Sequence, residues 1–303
     1  VTTMTNIFRK RIWLTIVFLY LSTAAFADTI DDTRKAAEQG DALAQYNLGL
    51  MYHFGRDVSK DNREAVKWYR LAAEQGDEDA QYNLGAMYDN GEGVPEDDRE
   101  AVKWFRLAGE QGHASAQFNL GNMYRKGEGV PIDDREAVKW YRLAAEQGAA
   151  LAQFNLGNMY ANGEGVREDD REAVKWYRLA AEQGTAEAQT NLGVMYANGE
   201  SMPEDYGEAV KWFRLAAEQG DARAQFNLGL MYDNGKGVPR NHQEAYIWYS
   251  LAVASDSNNK NATIYQNEAG QKLSRTKRSA ARREVARRWK GIAERQAGKT
   301  TLP

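Results

Sequence analysis

The chain has 303 residues, no cysteine, 11% aromatic and 27% charged residues, and a formal charge of −4. Such a composition is globular rather than disordered or collagenous. Without cysteine there is no disulfide framework, no thiolate-bound zinc or iron–sulfur centre and no thiol nucleophile. The charge is uneven: residues 28–256 hold 24 Lys/Arg against 40 Asp/Glu, whereas residues 257–303 hold 12 against 3. An acidic body therefore carries a basic tail.

The first element reads as an address. Arg9, Lys10 and Arg11 give a positive start, the stretch from Ile12 is apolar or nearly so, and Ala25-Phe26-Ala27 closes it as a cleavage site. Residues 1–27 are thus expected to be a secretory signal peptide cut after Ala27, leaving an exported protein, periplasmic or secreted. The 16 residues from Ile12 to Ala27 fall short of the roughly 20 that span a bilayer, so no transmembrane segment is expected in the mature form. In an oxidising compartment, a chain without cysteine must be held by packing alone. Residues 28–40 end in Ala36-Ala37-Glu38-Gln39-Gly40, the close of a second helix without its first, and are expected to cap the apolar edge of the helices after Gly40.

From Asp41 a 36-residue ruler governs the chain. Trp68, Trp104, Trp140, Trp176, Trp212 and Trp248 stand 36 apart, as do Gly40, Gly76, Gly112, Gly148, Gly184 and Gly220, so residues 41–256 are six units of one kind. A closed core needs no such period; a solenoid does, because each unit buries its apolar face only against its neighbours. Within a unit the spacing predicts two helices. Helix A runs from about Asp41 to Phe54, with Ala44, Leu48, Met51 and Tyr52 at helical intervals. A loop comes next, Gly91-Glu92-Gly93-Val94-Pro95 in the second unit, whose glycines suit positive φ and whose proline discourages more helix. Helix B opens on Asp97 with Glu100 three residues on, a capping-box spacing repeated at Asp61/Glu64, Asp133/Glu136, Asp169/Glu172, Asp205/Glu208 and Asn241/Glu244. It continues through Ala65, Trp68, Tyr69 and Ala72 and stops at Gly76, a left-handed C-cap. The tryptophans lie on the apolar stripe and are expected to be core rather than stacking platforms.

The string Ala80-Gln81-Tyr82-Asn83-Leu84-Gly85-Ala86-Met87-Tyr88, the Gly-x-Gly-Val loop and Glu100-Ala101-Val102-Lys103-Trp104-Phe105-Arg106-Leu107-Ala108 closely resemble the Sel1-like repeat family, over residues 41–256. The resemblance implies an all-α fold, a right-handed α-solenoid of six helix-turn-helix repeats related to tetratricopeptide arrays and acting as an adaptor for other proteins. Asp57 and Ser201 replace the second loop glycine and Arg167 the proline, so the first and fifth loops are expected to be shaped differently.

Comparing the six units with one another separates scaffold from recognition. In helix A the columns beginning at Ala44, Leu48, Gly49, Met51 and Tyr52 barely change, as close packing requires. Columns beginning at Leu43, Tyr46, Leu50 and His53 do change, and their spacing puts them on one stripe. That stripe, with Asn122, Arg125, Asn158 and Arg223 on it, is expected to line a concave groove for a peptide or protein partner. Beside it runs an unvarying ladder, Asn47, Asn83, Asn119, Asn155, Asn191 and Asn227, accompanied by Gln45 and its equivalents. Asparagine is a mediocre helix former, so the ladder needs a reason. A hydrogen bond to a neighbouring repeat's backbone and amide contact with an extended peptide both suit it.

Residues 257–303 are expected to form a helical cap and tail. Tyr265, Ala269 and Leu273 predict one amphipathic helix; Ala281, Val285, Trp289 and Ile292 predict a second, with Arg282, Arg283, Arg287, Arg288 and Lys290 on its other face. That basic face offers an alternative mode, contact with anionic lipid or envelope polymer. Nucleic acid is not expected for an exported chain with an acidic body. The three histidines, His53, His113 and His242, occupy three different repeat positions, and acidic pairs such as Glu168 and Asp169 recur as helix caps rather than as a catalytic dyad. The expectation is a non-enzymatic scaffold without metal or cofactor, a cell-wall or β-lactam-processing enzyme being the less favoured reading.

Overall fold

The computed structural model describes residues 30–300; the signal-peptide reading lies outside the described residues. Among these, every regular element is an α-helix, and they fall into two compact units divided after Asp133. The first unit holds α1 (30–38), α2 (Ala42–Phe54), α3 (Asn62–Glu74), α4 (Glu78–Asn90), α5 (Asp98–Gln111) and α6 (Ala114–Lys126). The second holds α7 (Asp134–Glu146), α8 (Ala150–Asn162), α9 (Asp170–Glu182), α10 (Ala186–Asn198), α11 (Tyr206–Gln219), α12 (Ala222–Asn234), α13 (His242–Ser255), α14 (Lys260–Gln271) and α15 (Arg275–Thr300). From α2 to α13, even numbers are helices A and odd numbers helices B. Within each unit, each of these packs on the next in sequence, which is a solenoid-like arrangement of 36-residue helix pairs.

The punctuation follows from the sequence. Helix A starts on a capping side chain at Asp41, Asp77, His113 and Asp221, Asp41 accepting from the Ala44 N–H at 2.7 Å, but not at Ala149 or Thr185, and it ends on a left-handed glycine such as Gly55, whose N–H returns to the Met51 carbonyl. Helix B starts on Asp61, Asp97, Asp169, Asp205 or Asn241, each accepting from backbone N–H groups of the first turn. The reciprocal half of the capping box is absent. The N–H of Asp97 is already held by the Tyr88 carbonyl at 3.0 Å, and Glu100 instead takes Lys103 at 3.1 Å and the Trp104 indole N–H at 3.1 Å. Asp57 and Ser201 adopt φ of 60° and 58°, the same left-handed conformation that glycine takes at this loop position elsewhere. The expected change of loop shape is therefore not seen in the backbone at these two positions.

In the core, an aromatic residue of helix B packs against a glycine of helix A. A Cβ added to Gly49 would lie 2.5 Å from the Tyr69 ring, and one on Gly157 would lie 2.7 Å from Tyr177. Only a missing side chain lets helix A approach helix B that closely. The tryptophans are packed inside as expected: Trp68, Trp104, Trp140, Trp176 and Trp248 are buried, and Trp212 is nearly so. A glutamine staple ties neighbouring repeats together. Gln45, Gln81, Gln117, Gln153, Gln189 and Gln225 are buried, and each donates to a carbonyl in the last turn of the preceding helix B, Gln153 to Ala145 at 3.0 Å. Their amide oxygens accept from the next helix B, Gln45 from Gln75, Gln81 from Gln111, Gln153 from Gln183 and Gln189 from Gln219, while Gln225 accepts from Ser255.

At the start, α1 supplies Ala37 to a small core with Ala44, Leu48 and Trp68, and its Ala37 carbonyl takes the Gln45 amide. At the other end, α14 and α15 pack on α13, burying Ala262, Ala269, Ala281 and Ile292. Trp289 is not on that buried face; it is 37% exposed. The place goes to Arg288, which meets both Glu244 oxygens at 3.0 Å and lies 5.0 Å over the Trp248 ring. An apolar period counts a tryptophan as core and cannot see a guanidinium that covers an indole.

Candidate functional site

The varying stripe of helix A is only partly free. Leu43 and Leu151 stand clear of the protein at 64% and 57% exposure, and Ser115, Glu187 and Arg223 are exposed beside their own helices. One turn on, Tyr46, Tyr82, Phe118, Phe154 and Phe226 are half-buried. Four of them lean on the aromatic residue of the following helix B, Tyr46 on Tyr69 at 6.0 Å, Tyr82 on Phe105 at 5.9 Å, Phe154 on Tyr177 at 6.1 Å and Phe226 on Tyr249 at 5.6 Å. The fifth-repeat equivalent breaks the pattern. Thr190 is fully buried, its hydroxyl donating to Ala186 and pairing with Asp221 at 3.1 Å, so it offers nothing to a partner.

The ends of the stripe are spent internally. His53 pairs with the Tyr69 hydroxyl at 3.3 Å and Glu92 at 3.4 Å. Asp233 takes His242 at 2.5 Å and Lys272 at 3.0 Å; burial alone would raise it, but these two hydrogen bonds bring it below the usual carboxylate range. His113, to which the repeat pattern assigns no role, replaces the aspartate cap of α6, accepting from the Ala116 N–H at 3.1 Å and stacking on Tyr82 at 4.4 Å. Asp89 is raised by burial, and further by Glu128.

The asparagine ladder has two regimes. Asn47 is exposed; Asn83, Asn119, Asn155, Asn191 and Asn227 are half-buried. Where partners are seen, they are side chains of the preceding repeat: Asn83 bonds the Tyr46 hydroxyl, and Asn191 bonds the Tyr177 hydroxyl and Asn158, the latter at 3.3 Å. Asn158 also accepts from the Tyr177 hydroxyl at 2.7 Å, a phenol that burial pushes up to about 12. The glutamines beside them make contacts to a neighbour's backbone. Asn122 and Arg125 are half-buried on α6 and hydrogen-bonded or paired within the protein.

Among the described residues, no group of three or more His, Asp or Glu side chains is placed to hold a metal, and no helix is long and apolar enough to cross a membrane. Ser-x-x-Lys spacings occur at Ser257/Lys260 and Ser274/Lys277, at and beyond the end of the sixth repeat. Ser274 is used as a cap, its hydroxyl accepting from the Lys277 N–H at 3.3 Å.

Strand-free stacks of 36-residue helix pairs define an α-solenoid repeat protein. The chain belongs to the Sel1 repeat family, whose pattern matches residues 42–77, 78–113, 114–148, 150–185, 186–221 and 222–257. Among solved structures it is similar to c5321, described as a protective antigen of uropathogenic Escherichia coli with the same repeat fold. The two are 37% identical with a TM-score of 0.76, over 88% of this chain and 56% of that one. This chain thus spans little more than half of that relative. It is also similar to a Sel1 repeat protein from Oxalobacter formigenes, 37% identical with a TM-score of 0.61, over 71% of this chain and 86% of that one. No curated protein matches. A Sel1-repeat protein of this kind is consistent with a protein-interaction scaffold.

Proposed function

We propose that the protein is an exported, non-enzymatic adaptor that binds an extended segment of a protein partner along the helix-A stripe. The observation that carries this reading is the division of labour within helix A. The unvarying glutamines and glycines are consumed in packing, whereas the changing column from Leu43 to Arg223 leaves two large apolar side chains and an arginine facing water. Exposed leucines beside half-buried aromatics suit apolar anchors of a bound chain, and the half-buried asparagine amides suit its backbone. Export rests on the charged and apolar N-terminal segment, and a relative described as a protective antigen fits a protein reachable from outside the cell.

The test is a crosslinking pull-down from envelope extract with the wild type and the double variant Leu151→Arg, Arg223→Glu. Asn158 is a poorer probe because it holds Tyr177 and Asn191. A protein captured by the wild type and lost from an equally helical variant supports the stripe; capture unchanged by the variant moves the binding surface elsewhere. N-terminal sequencing of the mature protein should begin at Asp28, and retention of residues 1–27 would refute cleavage.

A further inference from the structure

α15 does more than cover the last repeat. In the first five repeats a lysine of helix B bonds the glutamate one turn earlier, as Lys67 does Glu64 at 3.2 Å, Lys103 does Glu100 at 3.1 Å and Lys211 does Glu208 at 2.7 Å. In four of them it also covers the tryptophan, Lys103 lying 4.8 Å over Trp104. In the sixth repeat that lysine is Ile247, and Arg288 of α15 takes both duties on Glu244 and Trp248. Arg288 is therefore a docking residue, and its charge is answered by Glu244 and Glu284.

Of the other arginines alongside, Arg295 also docks α15, onto the Glu218 carbonyl of α11, whereas Arg287 bonds Glu284 within α15. Between α11, α13 and α15 lies a cavity of about 400 Å³, walled by Arg214, Arg287, Arg288 and Arg295 with Glu218 as the only carboxylate in its lining. At Gly291 the wall of α15 has no side chain to fill it. Arg214 gives one N–H to the Tyr232 hydroxyl at 2.8 Å, Arg295 gives two to the Glu218 carbonyl at 2.7 and 3.2 Å, and Arg287 gives two to Glu284 at 2.6 and 2.8 Å. A guanidinium carries five N–H groups, so each retains donors after these bonds. Arginines at the place of Arg214 make the same tyrosine bond in other repeats, as Arg70 and Arg106 do. Around Arg214, α15 adds three more guanidinia. Glu284 and Glu244 answer Arg287 and Arg288, while the N–H groups left over on Arg214, Arg287 and Arg295 border the open space, and arginine's planar fork matches the oxygens of a phosphate.

We propose that this cavity binds a phosphate-bearing ligand, its anionic oxygens held by Arg214, Arg287 and Arg295. The site is separate from the helix-A stripe and stands or falls without it. Two sources share this chemistry, a soluble phosphate compound and an anionic lipid headgroup. The full chain is titrated calorimetrically with inorganic pyrophosphate and, in a second arm, floated with phosphatidylglycerol vesicles against phosphatidylcholine vesicles. The expected result is saturable binding of one probe that weakens about tenfold or more in Arg287→Gln, as loss of a charge-assisted bond does, and stays within about twofold in Arg283→Gln. Arg283 is exposed, outside the cavity lining, and removes the same charge; Arg287 is 74% exposed, so its loss leaves the fold intact by circular dichroism. Binding confined to pyrophosphate assigns a soluble ligand, and binding confined to phosphatidylglycerol assigns a headgroup. No saturable binding of either probe, or equal weakening in the two variants, overturns the proposal.

Discussion

Trp140 is buried against its neighbours, with the Lys139 ammonium 5.3 Å above its ring. Cutting it to alanine empties a ring-sized volume beside the buried Tyr141, and the expected cost is about 3–5 kcal/mol in a denaturant melt. A wild-type midpoint would mean the indole is not core. Ser201 shows the opposite sign. Its φ of 58° is one that glycine takes elsewhere in this loop, and at the equivalent Gly165 an added Cβ would stand 2.2 Å from the Asp134 carbonyl. The fifth loop therefore carries a side chain where glycine is the rule. Ser201→Gly relieves the left-handed strain and gives back a little unfolded-state entropy, for a net gain of about 0.5–1 kcal/mol. A lowered melting midpoint would show that the serine side chain contributes more than its backbone costs.

Between helices, the glutamine staple and the α15 ion pairs act at different depths. Gln153 is buried with its amide split between the Ala145 carbonyl and Gln183. Gln153→Met keeps the volume and removes both bonds, an expected loss of about 1–3 kcal/mol by chemical denaturation; no loss would reduce the staple to a bystander. On α15, hydrogen bonds from Arg287 and then Arg288 hold Glu284 at about 2, far below its ordinary 4.5. A depressed carboxylate stabilises the folded state above its unfolded value, and that contribution is lost as pH falls through about 2. Because both partners lie on α15 itself, it is this helix's own ion pairing, not its docking, that should weaken from about pH 4.5 downward. Thermal melts of wild type and Glu284→Gln across that range should converge on acidification, and parallel curves would rule out Glu284 as the titrating group. Helices and turns were legible because six copies repeat one apolar period and one glycine. The roles of the polar columns were not: Gln45 and Gln75 both repeat, yet nothing in a 3.6-residue pattern says that residues 30 apart meet. The asparagine ladder stands out by its unlikely residue type, while the glutamines beside it bind the backbone.

A repeat array is stable only if its two ends are covered, since every internal repeat relies on a neighbour. The first end was legible as a helix B without its helix A, and α1 packs there as Ala37 against Leu48. The second was legible as two amphipathic helices but not in its orientation, because the docking residue is an arginine and its counterpart is a missing lysine. Ile247 records that exchange: it is 1% exposed under the cap, where Lys67, Lys103, Lys139, Lys175 and Lys211 face water in the other repeats. The same substitution should then act with opposite signs in two contexts. In the full chain, Ile247→Lys buries an ammonium beside Arg288 and should cost at least about 2 kcal/mol. In a chain ending at Ser255, α13 is uncovered, and the exposed isoleucine should promote aggregation. There the lysine can pair with Glu244 and cover Trp248 as its equivalents do, raising the soluble, helical fraction measured by light scattering and circular dichroism. If the lysine destabilises both chains alike, α15 is not the substitute for the missing lysine, and Arg288 covers the array's end for some other reason.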